Sequence, residues 1–498
     1  MNRRTFLQTS LAGAAGAGLA NAFGIISCST RRDQLNILWL DAEDICPDIG
    51  CYGNPLVHTP HIDGLASEGA MYTNAFTASP VCSASRSAIF TGMYQTTIGA
   101  HHHRSHREDG YQLPGDVKVM TNYFRDAGYF VCRRNFNNPE SRGKMDFNFS
   151  GSFEDFFDGT DWRQRENGQP FFAHVHFSET HRTFKHDDEH PIDPDAVDIP
   201  PYYPDHPVTR LDWALYLETV NVLDKKVGQI LQRLEDDGLA ENTVVFFTGD
   251  HGRAMLRGKQ WLYEGGIHVP LIVRYPGGGI QPGTVEDKLV NSIDWAPTWM
   301  EIAGLETPEY MQGRSFLNQS LPEREFIFSA RDRCDETDDR IRSVRSKKFK
   351  YIRNDYPLKP YTNWNAYKKN QYPVLTLMEV LREQGELAPE PSHFMAEYRP
   401  VEELYNLEAD PHEVNNLAED PDYHATLADF RSRLDRWISD TDDKGQMPED
   451  PAVALYWDRF MRDRWEEWME AKGFSPEVDS QEYLRWWEVR LKQMKNLT

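Results

Sequence analysis

The chain has 498 residues and a formal charge of −24, from 54 basic and 78 acidic side chains. Apolar residues make up 39% of it and aromatic residues 12%, enough for sizeable cores, which excludes a globally disordered chain. The acidic balance argues against nucleic-acid binding, so attraction for an anionic substrate must be local. At roughly 100–200 residues per domain, the length predicts two or three domains.

The N-terminus resembles an export signal. Arg3 and Arg4 precede Phe6-Leu7, as in twin-arginine signal peptides, and a Gly- and Ala-rich, mildly apolar stretch follows. The run "IISC" resembles a lipoprotein cleavage box that ends at Cys28. We therefore expect a signal peptide over residues 1–27, a lipid anchor at Cys28 as an open alternative, and a mature protein in the periplasm or at the cell surface. A buried first helix is disfavoured by the glycines.

Cysteine usage leaves at least one unpaired thiol. The six are Cys28, Cys46, Cys51, Cys82, Cys132 and Cys334. If Cys28 carries lipid, an odd number remains in an oxidising compartment. Cys46 and Cys51 are close enough in sequence to pair, and the sequence leaves open whether they do. Cys82 has the most unusual surroundings, within "SPVCSASRSAIFTG" (79–92).

Four short apolar runs predict buried strands, at residues 35–40, 171–177, 243–249 and 269–275. Three of them end in polar residues, namely "DAED", "SETHR" and Asp250-His251. Helical patterns lie between the runs, notably at 208–238. This alternation predicts an α/β domain with a largely parallel sheet over residues 34–325. Because ligands of such sheets bind beyond the carboxyl ends of the strands, we expect the polar groups to share one site.

The sequence pattern changes near residue 326. Charged strands and turns, beginning with "FIFSARDRCDETDDRIRSVRSKKFKYIRN", predict a smaller C-terminal α+β subdomain over residues 326–498. The Trp- and Arg-rich stretch at 453–495 predicts amphipathic helices that pack on the body of the protein. Helices lying on a membrane are the alternative interpretation.

The acidic residues after the first predicted strand form a candidate metal site. Asp41, Glu43 and Asp44 would meet Asp250 and His251 at one sheet edge. Such clustering costs on the order of several kcal/mol per ion unless a cation compensates the charges. Ca²⁺ or Mg²⁺, which prefer oxygen ligands, are the natural partners, although His251 leaves the identity of the ion open.

Cationic side chains also follow the predicted strands and turns: Arg86, Lys144, His181, Arg182 and Lys259. Singly, each is consistent with an exposed surface position. Together with a metal they would form a pocket for a compact tetrahedral oxyanion. Cys82 precedes a short predicted helix that Ser85 would cap and Gly92 would end, and such an N-terminus favours anions. A reactive thiolate and an inert buried cysteine both remain open.

The order of these motifs resembles the formylglycine-dependent (type I) sulfatases. "CSASRSAIFTG" (82–92) is similar to the family signature, a Cys, any residue, Pro or Ala, any residue, Arg, and then Thr-Gly. The segments 36–77, 248–252 and 403–420 match the N-terminal, second metal and C-terminal blocks, in order. The resemblance covers nearly all of the chain after the signal. It implies an alkaline-phosphatase-like fold, in which helices sandwich a mixed, largely parallel sheet.

The resemblance also implies a modified nucleophile. A formylglycine-generating enzyme would oxidise Cys82 to formylglycine (3-oxoalanine), whose hydrate attacks sulfur. Calcium, with magnesium as an alternative, would be held by Glu43, Asp44, Cys82, Asp250 and His251. Sulfate binding or proton transfer would be carried out by Arg86, Lys144, His181 and Lys259.

Four positions depart from the family pattern. Glu43 stands where the family usually has Asp, and His251 where many members have Asn. Ala84 replaces the commoner Pro, a form associated with bacterial maturation enzymes. Asp146 stands where the family often has a His, so we expect His181 to serve as the acid for the leaving group.

Two longer segments, 199–228 and 252–273, resemble the N-sulfoglucosamine sulfohydrolase (heparan sulfamidase) branch and its bacterial members. This resemblance implies sulfated polysaccharide substrates, heparan-like or of the algal ulvan type, cleaved at a sulfate ester or a sulfamate. The segment 101–109 is predicted as a specificity loop, in which His102, His103 and Arg104 would contact acidic sugars together with Arg182. A solvated polar loop is the alternative.

Two other functions remain open at the level of sequence. A phosphodiesterase or phosphonate monoester hydrolase of the same superfamily would use the same metal and cations on phosphoryl groups. A non-catalytic glycan-binding lipoprotein would keep the fold alone. The joint presence of Cys82, Arg86 and both metal blocks favours the sulfatase.

Overall fold

The computed structural model describes residues 34–105, 110–138 and 141–496. The predicted signal peptide and Cys28 lie outside the described residues. From Leu35 onward the described chain forms one compact unit that contains every sheet, and the domain boundaries expected from the sequence stay a prediction. Within the described ranges, no helix has both the length and the apolar character that crossing a bilayer requires.

The described chain contains the following elements. The strands are β1 (Asn36–Ala42), β2 (Ala70–Tyr72), β3 (Ala75–Phe76), β4 (Phe130–Asn135), β5 (Phe171–Phe177), β6 (Thr243–Gly249), β7 (Leu271–Arg274), β8 (Thr284–Glu286), β9 (Val290–Asn291), β10 (Ile327–Arg331), β11 (Ile341–Arg345), β12 (Phe349–Asn354) and β13 (Glu402–Asn406). The helices are α1 (Pro60–Glu68), α2 (Cys82–Thr91), α3 (Met120–Asp126), α4 (Phe153–Phe156), α5 (Pro207–Asp236), α6 (Glu264–Ile267), α7 (Trp295–Ile302), α8 (Ala366–Gln371), α9 (Pro373–Gln384), α10 (Pro389–Phe394), α11 (His424–Asp440), α12 (Pro451–Lys472) and α13 (Ser480–Met494).

The central sheet has seven strands in the order β4-β5-β1-β6-β7-β2-β8. Strands β4, β5, β1 and β6 run parallel, and β7 is antiparallel to both of its neighbours. Every residue of β1, β5 and β6 is buried, as expected for parallel strands that are covered on both faces. The predicted mixed, largely parallel sheet is therefore confirmed.

Helices cover both faces of this sheet because successive side chains of a strand point to opposite sides. In β1, Leu38 and Leu40 belong to one core, which includes the inner face of α5. Ile37 and Trp39 belong to the other core, where the Trp39 ring packs against Trp299 of α7. The predicted helix at 208–238 is confirmed as α5.

A second, antiparallel sheet has the order β10-β11-β12-β13, and α11 packs against it. This sheet contacts the segment that precedes Cys82, because Ala330 N donates to Ala78 O at 2.9 Å and Ser329 Oγ donates to Thr77 O at 2.7 Å. The predicted C-terminal α+β region is therefore confirmed. Through these contacts it supports the loop that leads into α2.

Candidate active site

The carboxyl ends of β5, β1 and β6 lie side by side, so the residues that follow them meet at one edge of the sheet. The backbone N–H of Glu43 donates to Phe177 O at 3.2 Å, and that of Asp44 donates to Asp250 Oδ1 at 3.0 Å. Asp44 has a positive φ of 55°, a conformation that turns the chain sharply after β1. The structure thus brings both predicted acidic blocks together.

Cys82 is the first residue of α2, preceded by Val81 in an extended conformation without a side-chain cap. The expected cap at Ser85 is wrong, because the Ser85 Oγ instead donates to the carbonyl of Asp250 at 2.6 Å. Every residue of α2 is buried, and the small side chains after Cys82 permit this close packing. Residue 82 therefore lies at the positive end of a buried helix, beside the acidic edge.

Four of the predicted metal ligands converge. One ligand atom each from Asp44, Cys82, Asp250 and His251 lies within 4.8 Å of the others, and all four residues are buried. Two carboxylates and an imidazole in this arrangement fit a divalent cation, which would compensate charges that are costly to bury. The structure does not bring Glu43 into this group. Its carboxylate lies 3.2 Å from Lys144 Nζ and 3.5 Å from His176 Nε2.

Cations surround this acidic group. The Nζ atom of Lys259 lies 2.9 and 3.0 Å from the Asp44 carboxylate oxygens and 3.3 Å from Cys82 Sγ. The Nε2 atom of His251 lies 3.1 Å from the same sulfur. Arg86 donates to Asp41 at 2.7 Å and to Asp250 at 3.2 Å. Lys259 therefore contacts Cys82, whereas Arg86 pairs with the carboxylates of Asp41 and Asp250.

The local charges shift the pKa values of these groups. Burial alone would raise the pKa of the Cys82 thiol, but Lys144, Lys259 and His251 together lower it. Burial also opposes protonation of His251, yet the neighbouring Asp250, Cys82 and Asp44 raise its pKa to about 9. The site therefore favours a negative charge at residue 82 and positive charges around it.

His181 lies at the rim of the site, with Nε2 at 4.0 Å from Asp44 Oδ2. Its Nδ1 is 2.6 Å from the carbonyl of Arg182, so Nδ1 carries the proton and Nε2 is left as the acceptor. The Tyr367 hydroxyl is 3.4 Å from that Nε2. Tyr367 belongs to α8 and is 186 residues away in sequence, so no local pattern predicted it.

The predicted substrate-binding residues have protein partners in the structure. Arg182 forms a bidentate ion pair with Asp212, at 2.7 and 2.6 Å, and its guanidinium lies over the rings of Phe184 and Tyr372. These contacts give Arg182 a structural role in the fold and do not place its guanidinium beside Cys82. Its contact with substrate stays a prediction.

The segment before residue 106 contacts the start of α2. His103 Nδ1 is 2.7 Å from the Oγ of Ser83, the residue after Cys82. Arg104 Nη1 is 3.2 Å from Asp335, and His102 Nδ1 accepts from the backbone N–H of Arg333 at 3.3 Å. Residues 106–109 of the predicted specificity loop lie outside the described residues.

Arg133 is a buried arginine on β4 that the sequence analysis missed. Its guanidinium donates to the carbonyl of Arg142 at 2.8 Å and to the carbonyl of Lys144. Gly143 lies between these two residues with a φ of 65°. The two hydrogen bonds from Arg133 therefore hold the turn that contains Lys144. Burial, followed by repulsion from Arg86, lowers the pKa of Arg133 to about 9.

The cysteines of the described chain are free thiols, which answers the open question about Cys46 and Cys51. Cys46 Sγ donates to the carbonyl of Gly265 at 3.2 Å. Burial raises the pKa of Cys51 to about 12 and the pKa of Cys132 above its usual range. A lowered thiol pKa thus sets Cys82 apart from these two cysteines.

Comparison with known proteins identifies the family. A family model described as Sulfatase matches residues 35–305, and one described as N-sulphoglucosamine sulphohydrolase, C-terminal, matches residues 249–381. An ulvan-active sulfatase from Formosa agariphila is 36% identical over 478 residues, covering 85% of this chain and 78% of the relative. N-sulphoglucosamine sulphohydrolase from Homo sapiens is 27% identical, covering 83% of this chain and 91% of the relative.

A solved structure has a fold similar to that of this chain. A protein in complex with its substrate D-glucosamine-2-N,6-O-disulfate superposes with a TM-score of 0.60 at 17% identity, covering 82% of this chain and 98% of that chain. This similarity confirms the expected alkaline-phosphatase-like architecture. The family models and the ulvan-active relative show that the chain belongs to the sulfatase family and is a hydrolase of sulfate esters or sulfamates.

Proposed function

We propose that this enzyme removes sulfate from sulfated polysaccharides, heparan-like or of the ulvan type, after export to the periplasm or cell surface. The main observation behind this proposal is the position of Cys82, which lies at a helix N-terminus. Its Sγ is 3.3 Å from Lys259 Nζ and 3.1 Å from His251 Nε2. The substrate class is supported by the names of the relatives, one active on ulvan and one an N-sulphoglucosamine sulphohydrolase. The twin-arginine pattern supports export.

Cys82 is the residue that a formylglycine-generating enzyme would modify. When installed, the hydrated formyl group supplies the oxygen nucleophile that attacks sulfur. The Sγ atom in this structure stands in for that oxygen. Lys259, which contacts Sγ, is therefore the group that would stabilise negative charge at the nucleophile, whereas His251 would bind the divalent ion through Nε2.

The remaining residues bind sulfate and move a proton. Lys144 and Lys259 bring positive charge to the side of the site where the sulfate oxygens would lie, and a bound divalent ion, held by Asp44, Asp250, His251 and residue 82, would add to it. The carbonyl partner of Nδ1 fixes the ring of His181. Its Nε2, once protonated, is therefore placed to protonate the leaving oxygen or nitrogen.

The experiment that tests the function uses protein produced together with a formylglycine-generating enzyme, with residue 82 checked by peptide mass spectrometry. Sulfate release is measured from N-, 2-O- and 6-O-sulfated heparan disaccharides and from ulvan oligosaccharides, and an aryl sulfate is compared with an aryl phosphodiester. We expect release from at least one glycan and preference for the aryl sulfate. Faster turnover of the phosphodiester, or no release despite confirmed formylglycine, contradicts the proposal.

Metal binding is expected to stabilise the fold. Adding CaCl₂ to chelator-treated protein should raise Tm by roughly 3–6 °C at a hundredfold excess over Kd, because the ion binds only the folded state. Asp250→Asn should lose this shift, whereas Glu43→Gln should retain it because Glu43 lies outside the ligand group. Differential scanning calorimetry measures both. An unchanged shift in Asp250→Asn would rule out the assigned ligand set.

Arg133→Met is expected to lower kcat by about 10- to 100-fold, because the turn that contains Lys144 loses the guanidinium that holds it. The substitution removes the donor to the carbonyls of Arg142 and Lys144, so we also expect a loss of stability of about 1–3 kcal/mol. Arg134→Met on the same strand is the matched control, since Arg134 pairs with Asp161. The kcat values of both variants are measured by steady-state kinetics on an aryl sulfate. Equal kcat values would exclude the proposal that Arg133 positions Lys144.

A further inference from the structure

A second group of possible metal ligands lies beside the start of α2. His103, Cys334 and Asp335 each place one ligand atom within 4.8 Å of the other two. All three residues are buried, with exposed fractions of 2%, 0% and 3%. None of them belongs to the ligand group around Cys82, so the two groups would bind separate ions.

The fold brings the three residues together from two segments that are distant in sequence. Cys334 and Asp335 follow β10, in a tight turn that two backbone hydrogen bonds between Cys334 and Thr337 close, at 2.9 and 3.0 Å. His103 comes from the segment before residue 106, and its backbone N–H donates to the carbonyl of Arg333 at 2.9 Å. That hydrogen bond joins the two segments next to the three side chains.

The hydrogen bonds of His103 suit it to bind a metal through Nε2. Its Nδ1 is 2.7 Å from the Oγ of Ser83. That Oγ also accepts from the backbone N–H of Arg104 at 3.1 Å, and its second acceptor position can take the proton of Nδ1. A histidine whose Nδ1–H is held by an outer hydrogen bond presents the lone pair of Nε2 to a metal.

The distances fit a shared ion better than a direct hydrogen bond. His103 Nε2 lies 3.8 Å from Asp335 Oδ1, which is too long for a hydrogen bond. Two ligands bound at about 2.0–2.3 Å to one tetrahedral ion lie roughly 3.3–3.8 Å apart. The same oxygen of Asp335 is 3.2 Å from Arg104 Nη1, an outer partner of the kind that orients a carboxylate ligand.

Cys334 would supply a sulfur ligand. Its side chain is fully buried, forms no disulfide and packs against Val81 and Ala84 near the start of α2. A buried thiol usually packs among apolar atoms. This sulfur instead also lies within 4.8 Å of an imidazole nitrogen and a carboxylate oxygen, and among the described residues it has no hydrogen-bond partner. A metal ion would give it one.

The ligand types favour zinc. A thiolate, an imidazole and a carboxylate are the groups that bind Zn²⁺ in proteins, and three of them leave the fourth tetrahedral position for a water molecule. Calcium usually takes about six to eight oxygen ligands and does not fit this set. Zinc would displace the proton of the Cys334 thiol, and the resulting thiolate and the Asp335 carboxylate would balance the two charges of the ion.

The neighbouring cations do not prevent such binding. Arg104 pairs with Asp335, and Arg333 pairs with Glu449. Burial lowers the pKa of Lys368, which acts electrostatically on the nearby thiol, to about 7, so its repulsion of a metal ion is reduced.

We propose that His103, Cys334 and Asp335 bind a zinc ion, which fastens the segment before residue 106 to the turn after β10. The ion would hold both segments against the start of α2, where Ser83 and Ala84 follow the nucleophile position. This inference does not depend on the substrate of the enzyme, and its tests need no turnover.

The first test counts bound zinc in the full chain. Chelator-treated protein is incubated with ZnCl₂ and excess CaCl₂, desalted and analysed by inductively coupled plasma mass spectrometry. We expect about one equivalent of zinc per chain in the wild type and its loss in Cys334→Ala and in His103→Gln. Cys132→Ala, which removes another buried free thiol, is the matched control and should retain the ion.

Asp250→Asn separates this site from the ligand group around Cys82. It impairs only that group, so it should also retain the zinc. Equal zinc content in the wild type and Cys334→Ala overturns the proposal, as does loss of the zinc in Asp250→Asn.

The second test identifies the sulfur ligand. Cys82→Ala protein is loaded with Co²⁺, which takes the tetrahedral ligands of zinc and gives a sulfur-to-metal charge-transfer band when a thiolate is bound. We expect the band in Cys82→Ala and its loss in Cys82→Ala/Cys334→Ala, with circular dichroism as the check on folding. A folded double variant that keeps the band, or a single variant that lacks it, excludes Cys334 as a ligand.

Discussion

Cys82→Ala is expected to lower kcat/KM by about 10⁴-fold or more, because alanine offers no atom that can become the nucleophile. Residue 82 is the position on which Lys259 and His251 converge, and no other described thiol has these neighbours. The loss should appear on aryl sulfates and on glycans alike. Sulfate release by ion chromatography, with Tm as the check on folding, measures the effect.

The matched control is Cys51→Ser, since Cys51 is a partly buried free thiol beside Asp63. It should keep wild-type kcat. Substantial activity in Cys82→Ala, or an equal loss in Cys51→Ser, would show that the modified cysteine is not the nucleophile.

Lys259→Met is expected to lower kcat by about 10²- to 10³-fold with a smaller change in KM, because its charge acts most strongly where negative charge develops. Its Nζ touches both Cys82 and Asp44, and these partners, working against burial, raise its pKa so that it stays protonated at neutral pH. Initial rates over a range of aryl sulfate concentrations separate kcat from KM.

Lys368→Met provides the control for removing a buried lysine. The Lys368 amine lies 3.9 Å from the centre of the Trp261 ring and does not contact Cys82. Its substitution should leave kcat within a few-fold of wild type. If both lysine variants lose activity equally, the effect of Lys259 is on the fold and not on the reaction.

The sequence alone predicted the α/β sheet and most of the residues that gather at its edge. Fully apolar strands are typical of a sheet that is covered on both sides. The residues that follow parallel strands lie at the same edge of the sheet. Asp44, Asp250 and His251 each lie within two residues of the end of such a strand, so the sequence pattern was enough to predict that they meet. Cys82 was found from its motif.

Only the tertiary structure decided how these residues are partnered. Glu43 pairs with Lys144 outside the ligand group, Ser85 binds a carbonyl in place of capping α2, and Arg182 is held by Asp212. Tyr367 and Arg133 act on groups far away in the chain or across a turn. Such contacts depend on how strands, helices and loops distant in sequence pack in three dimensions, and local residue patterns carry no record of that packing.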